Sequence, residues 1–126
     1  MVTLEIAARE FAERSGIVVH CALEPVRLGE TADLVVYRLV QEAITNITKY
    51  ARARNVWLTL CDRGDHVEVS VRDDGVGFDP QSQRPSAHGL VGMRYRAEAE
   101  HGTLTVVSAP GRGTLIRVSL PQAAPA

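Results

Sequence analysis

The sequence predicts an α+β domain, a two-layer sandwich in which a mixed, mostly antiparallel sheet carries its helices on one face. Three observations predict it. After the first strand, the strand-like runs come as adjacent pairs, 55–61 with 66–72 and 103–108 with 114–120, each joined by a short turn-forming stretch. Segments of helical period stand between those pairs rather than between single strands. The 126 residues suit one domain with a single core. Strict strand–helix alternation, which a doubly wound parallel sheet needs, is absent.

Taken in order, residues 3–15 have helical spacing, with Leu4, Ala7, Ala8 and Phe11 on one side, Thr3 as a cap and Gly16 as the stop. Residues 17–23 (IVVHCAL) are β-branched and apolar and predict a strand, with His20 structural. A loop, EPVRLGE, leads to a helix over 31–51, capped by Thr31. The next two strands meet at Arg63-Gly64-Asp65; in the second, Val67, Val69 and Val71 alternate with polar residues, so one face is buried. DDGVGFDP follows as a turn, and QSQRPSAH, polar and without period, as a loop. A helix is expected over 90–100, with Leu90, Met93 and Ala97 inward and Gly102 at its end. Two strands joined by APGRG complete a domain over residues 1–121, and 122–126 are expected to be a disordered tail.

Hydrophobic residues make up 45% of the chain and charged residues 23%, with a net charge of −1. No basic stripe is available for a phosphate backbone, so nucleic acid is not the expected partner. No apolar run approaches the roughly 18 residues that cross a bilayer, and the acidic start, MVTLEIAARE, does not suggest a signal peptide. Membrane contact by this domain is therefore not expected, and a cytoplasmic location is. Cys21 and Cys61 lack metal-like spacing and are expected to be buried, reduced thiols.

Four stretches carry chemistry. In YRLVQEAITNITKYA, residues 37–51, Leu39, Val40, Ala43, Ile44 and Ile47 form the apolar stripe. Arg38, Glu42, Asn46, Lys49 and Tyr50 recur at spacings of four and three on another face. That face is either solvated or a holder of metal-bound polyphosphate: Asn46 offers a hard oxygen to Mg2+, Lys49 a point charge, and Glu42 an acceptor for a metal-bound water. Asp73-Asp74-Gly75-Val76-Gly77 is either a turn or a strand-end carboxylate for an exocyclic amine, backed by glycines that let backbone approach a flat ring. Its spacing excludes an EF-hand. Ala87–Met93 reads as a loop meeting a helix start through glycines, where free N–H groups suit phosphate. Gly111-Arg112-Gly113-Thr114 is a hairpin loop whose threonine can offer a hydroxyl to a ring edge. Neither a P-loop nor GxGxxG occurs.

In order and spacing, QEAITNITKYA, DDGVGF, HGLVGM and GRGT resemble the nucleotide-binding boxes shared by gyrase, heat-shock chaperones, sensor histidine kinases and mismatch-repair ATPases. Over about residues 16–121 the chain is most similar to the catalytic ATP-binding domain of two-component sensor histidine kinases, of the nitrate-sensor-like branch. The resemblance implies a Bergerat-type sandwich that binds ATP and Mg2+. It implies Asn46 as metal ligand, Glu42 as base or holder of a metal-bound water, and Lys49 at phosphate. Asp73 would take the adenine amine, with Gly75 and Gly77 beside the ring. Gly89, Leu90 and Gly92 would form the lid hinge and admit phosphate, and Thr114 would reach adenine through a water. Residues 79–88 are then expected to be a nucleotide-gated lid. Tyr50 stands where such kinases usually carry histidine, and Ala87 where they carry glycine.

The partners implied are a dimerisation hairpin bearing the phosphoacceptor histidine and a response regulator downstream. His20, His66, His88 and His101 do not sit in an amphipathic helix pair, so the chain is expected to be a catalytic domain without its own acceptor, from a soluble or membrane-anchored parent. Two further readings are an anti-sigma-factor serine kinase, which the GMRYRAEAEHG wording disfavours, and a nucleotide-binding module without transfer activity, which Glu42, Asn46, Lys49 and Asp73 disfavour.

Overall fold

The computed structural model describes residues 2–79 and 85–122. Helix α1 spans Val2–Ser15, strand β1 Val18–Leu23 and helix α2 Glu30–Asn46, prolonged by a π-helical turn over Ile47–Ala51. Strands β2 (Asn55–Asp62) and β3 (His66–Asp73) follow, then α3 (Pro85–Ala99), β4 (Thr103–Ser108) and β5 (Thr114–Pro121). The sheet order is β1-β2-β3-β5-β4. β1 lies parallel to β2, as the crossover through α2 requires, and the other pairings are antiparallel.

The period-two pattern decides which face is covered. Val56, Leu58 and Leu60 of β2, Val67, Val69 and Val71 of β3, and Ile116, Val118 and Leu120 of β5 are all buried and point to the helices. α2 supplies Val36, Leu39, Val40 and Ala43 to the same core, and α3 supplies Met93 and Ala97. Each fully buried Val or Leu contributes about 1.5–3 kcal/mol. The other face is polar. There Trp57 lies between the His20 ring, stacked at 5.3 Å, and the Arg72 guanidinium at 4.7 Å. Glu68 bridges Arg117 at 2.9 Å and Arg63 at 3.5 Å. The two-layer prediction holds, and on this face His20 Nε2 also lies 3.1 Å from Asn55 Oδ1.

Several expectations change. α1 begins at Val2, so Thr3 lies within it. α2 starts at Glu30 behind Gly29 with no side-chain cap, leaving Thr31 inside the first turn. Helix α3 begins at Pro85 rather than near residue 90: proline has no N–H to lose in a first turn, and its fixed φ suits that position. PSAH is therefore helix, while 80–84, the centre of the expected lid, lie outside the described residues. His101, at φ 63, supplies the left-handed residue that closes α3; its N–H reaches the Glu98 carbonyl and that of Gly102 the Ala97 carbonyl. The cysteines are free but not buried: Cys21 is exposed on the edge strand β1, and Cys61 is half-buried. Gln122 belongs to the fold. Its Nε2 donates to Asp62 Oδ1 and the Gly64 carbonyl, both at 2.8 Å, and its Oε1 accepts the Arg27 N–H. The tail expected over 122–126 therefore does not include Gln122, and 123–126 lie outside the described residues.

Candidate active site

The site is built where β3 ends beside the last turn of α2. The π-turn closes at Arg52, whose φ of 53 stops the helix. This leaves the Ala51 carbonyl open, and it accepts the Val76 N–H at 2.7 Å. Asp74 sews the same loop to the start of β2: its Oδ1 accepts the N–H groups of Arg54 and Asn55, and its Oδ2 accepts Asn55 Nδ2, all at 2.9 Å. The Asn55 side chain first, and then the backbone donors, hold its carboxyl below the usual range. Of the two acids in DDG, the second is structural.

Asp73 behaves differently. It is the last residue of β3 and only 5% exposed. Its Oδ1 accepts the Gly75 N–H at 2.8 Å, and among the described residues its other oxygen has no partner. Burial pushes its carboxyl up; the Gly75 bond opposes that, and the charge of Asp74 adds to it. A buried carboxylate with a spare oxygen is costly unless a donor arrives.

Around Asp73 three backbone segments converge through glycines. A Cβ on Gly75 would overlap the Ala51 carbonyl, and one on Gly113 the carbonyl of Asp73 itself. The loop between β4 and β5 is clipped on by the Gly111 N–H to the Val76 carbonyl, at 2.6 Å. Register sets Thr114 opposite both Asp73 on β3 and Ser108 on β4. Ser108 Oγ lies 2.8 Å from Thr114 Oγ1, donates to the Gly113 carbonyl and accepts the Phe78 N–H, the last two at 2.9 Å. Ser108 was missed from the sequence, although a serine facing a threonine across a hairpin is a recognisable hydroxyl pair.

The predicted residues thus separate into groups. Asp73, Gly75, Gly77 and Thr114 come together. Glu42 and Asn46 are half-buried, and their side chains make no hydrogen bond or ion pair with another described residue. By the 3.6-residue period they lie on the flank of α2 opposite Ile44 and Thr48, hence away from α1. Lys49 departs from that stripe. It is exposed and lines a cavity of about 320 Å³ with Phe11, Arg14, Ile44 and Thr48, between α1 and α2. The π-turn widens the helical period after Asn46 and carries Lys49 round. Gly89, Leu90 and Gly92 lie within α3, not at its start, so the free N–H groups of the first turn belong to residues before Gly89. Leu90 packs against the core, while a Cβ on Gly92 would meet open space.

The spare oxygen of Asp73 can accept a hydrogen bond from a donor such as an exocyclic amine. On α2, the carboxamide of Asn46 and the carboxylate of Glu42 remain free to serve a hard cation. Among the described residues no group of three or more His, Cys, Asp or Glu side chains is placed to hold a metal ion.

Over 122 residues, 94% of its length, the chain is 34% identical to the signal transduction histidine-protein kinase/phosphatase DegS of Brevibacillus brevis, and it spans 31% of that relative. The histidine kinase domain of the Erythrobacter litoralis EL346 blue-light activated kinase superposes with a TM-score of 0.76 at 22% identity, over 94% of this chain and 58% of that one. The mycobacterial sensor histidine kinase MprB gives 0.74 at 23%, covering 94% and 91%. At these identities the two structures speak for the fold alone. Residues 31–124 match the family described as Histidine kinase-, DNA gyrase B-, and HSP90-like ATPase, and the chain belongs to that family.

Proposed function

We propose that this domain is cytoplasmic, binds Mg2+-ATP beside α2 and donates the γ-phosphoryl group to a histidine on a separate dimerisation hairpin of a two-component kinase. The observation that carries the reading is Asp73, a buried carboxylate with one oxygen still to be satisfied. Similarity to DegS and other histidine kinases over nearly the whole chain supports the transfer function. A response regulator would take the phosphoryl group onward.

In this reading Asp73 accepts a hydrogen bond from the adenine amine, and Gly75 and Gly77 let the loop lie close to the ring. Thr114 offers its hydroxyl oxygen directly to the ring edge. The Asn46 carboxamide oxygen holds Mg2+, and Glu42 holds a metal-bound water or takes the proton that the attacking imidazole loses. Bound Mg2+-ATP supplies the phosphoryl group and a neutralised charge; the chain supplies positioning. Lys49, turned toward α1, is left out of the contact set, and α3 with Gly89, Leu90 and Gly92 forms the wall on the phosphate side.

Radiolabelled ATP tests the proposal. The domain alone is expected to stay unlabelled, and a helical hairpin from a related histidine kinase, added in trans, to acquire acid-labile phosphate. Label on the domain's own histidines, or none on the hairpin while ATP is bound, would overturn the transfer reading.

A further inference from the structure

Ser108 is half-buried and makes three contacts, but it has a single hydroxyl proton. The Gly113 carbonyl can only accept, so that proton is spent on the 2.9 Å bond to Gly113. The Phe78 N–H can only donate, so it takes a lone pair of Ser108 Oγ. The remaining bond, 2.8 Å to Thr114 Oγ1, must then run from threonine to serine. We propose that Ser108 is a specificity-positioning residue of the nucleotide site: it commits the Thr114 proton and so presents Thr114 to the ligand as an acceptor only.

The consequence follows from the register. Thr114 pairs with Asp73 across β3 and β5, so the side chains serving the base end are a carboxylate and a hydroxyl oxygen that has no proton to give. Such an edge accepts from an amine and repels a carbonyl. Without Ser108, the Thr114 hydroxyl would be free to turn and donate, and part of that discrimination would be lost. The inference rests on the nucleotide reading above and assigns to Ser108 a role in choosing the base, beyond its part in shaping the loop.

ATP and ITP, which differ at this edge by an amine against a carbonyl, provide the test. Their affinities are measured by calorimetry for wild type, Ser108→Ala, Ser108→Thr, Thr114→Val and the double variant Ser108→Ala/Thr114→Val. The ATP-over-ITP preference is expected to fall roughly tenfold in Ser108→Ala. It should return in Ser108→Thr, which restores the hydroxyl. Ser108→Ala should leave the preference unchanged in the Thr114→Val background, where no proton remains to redirect. If Ser108→Ala weakens ATP and ITP by the same factor, the residue is merely structural and the inference is wrong. Should that variant not fold, Ser108→Cys, a poor acceptor, carries the same comparison. Wild type that binds neither nucleotide would sink the nucleotide reading itself, which a constant ratio would leave standing.

Discussion

At Asp73 the fold spends stability on a group that folding alone would not place there. The sign of its pH dependence follows from the raised carboxyl. Because the native state holds this proton more tightly than the unfolded chain, stability falls as pH rises from 3.8 through the folded value, and stays lowered above it. Asp73→Asn removes the buried charge and keeps an acceptor for the Gly75 N–H. The variant is therefore expected to melt at or above wild type at neutral pH, with an advantage that shrinks on acidification. Thermal melts across pH would show this; a variant clearly less stable at pH 7 would mean that the carboxylate holds the loop together. Gly75 is the opposite kind of residue. Gly75→Ala drives a Cβ into the Ala51 carbonyl, so it should cost about 1–3 kcal/mol in chemical denaturation. An unchanged midpoint would contradict the close approach of the two backbones.

Among the elements, α3 makes the sharpest trade. Gly92 sits inside the helix with open space where a side chain would go, and there glycine costs about 0.5–1 kcal/mol against alanine. Gly92→Ala should stabilise the nucleotide-free domain by about that amount. If the glycines of α3 serve the phosphate end by letting its first turns yield, the same change weakens ATP binding; both effects can be read from melts with and without nucleotide. Loss of stability would show that Gly92 answers a packing need instead. The elements were largely legible from their periods. Val67, Val69 and Val71 mark a half-covered strand, and Leu39, Val40 and Ala43 a helix stripe, whatever surrounds them. What stayed hidden depends on tertiary partners. The π-turn is tied to the docking of Val76 on Ala51, and it alone separates Lys49 from Asn46. The first turn of α3 is polar and carries no apolar period to betray it. Ser108 matters through bonds to residues 78, 113 and 114, and only its pairing with Thr114 across the hairpin can be read from the local pattern.

At the scale of the whole molecule, sheet order places the site. β3 lies at the centre of five strands, so Asp73 at its end is flanked by the β5 start and the approach to β2, with α2 above. A ligand there ties together the end of α2 and the loops after β3 and β4, and binding should stabilise the whole fold. ATP at about 100 times its dissociation constant would add about 2.7 kcal/mol. The most direct test of the central claim is calorimetric titration of wild type and Asp73→Asn with ATP in the presence of Mg2+. The variant is expected to lose about 1–3 kcal/mol of binding free energy, because the adenine amine would then face a donor or nothing. Equal affinity in the two proteins would contradict the account, since Asp73, the one buried acid with an oxygen to spare among the described residues, would then not be reading the base.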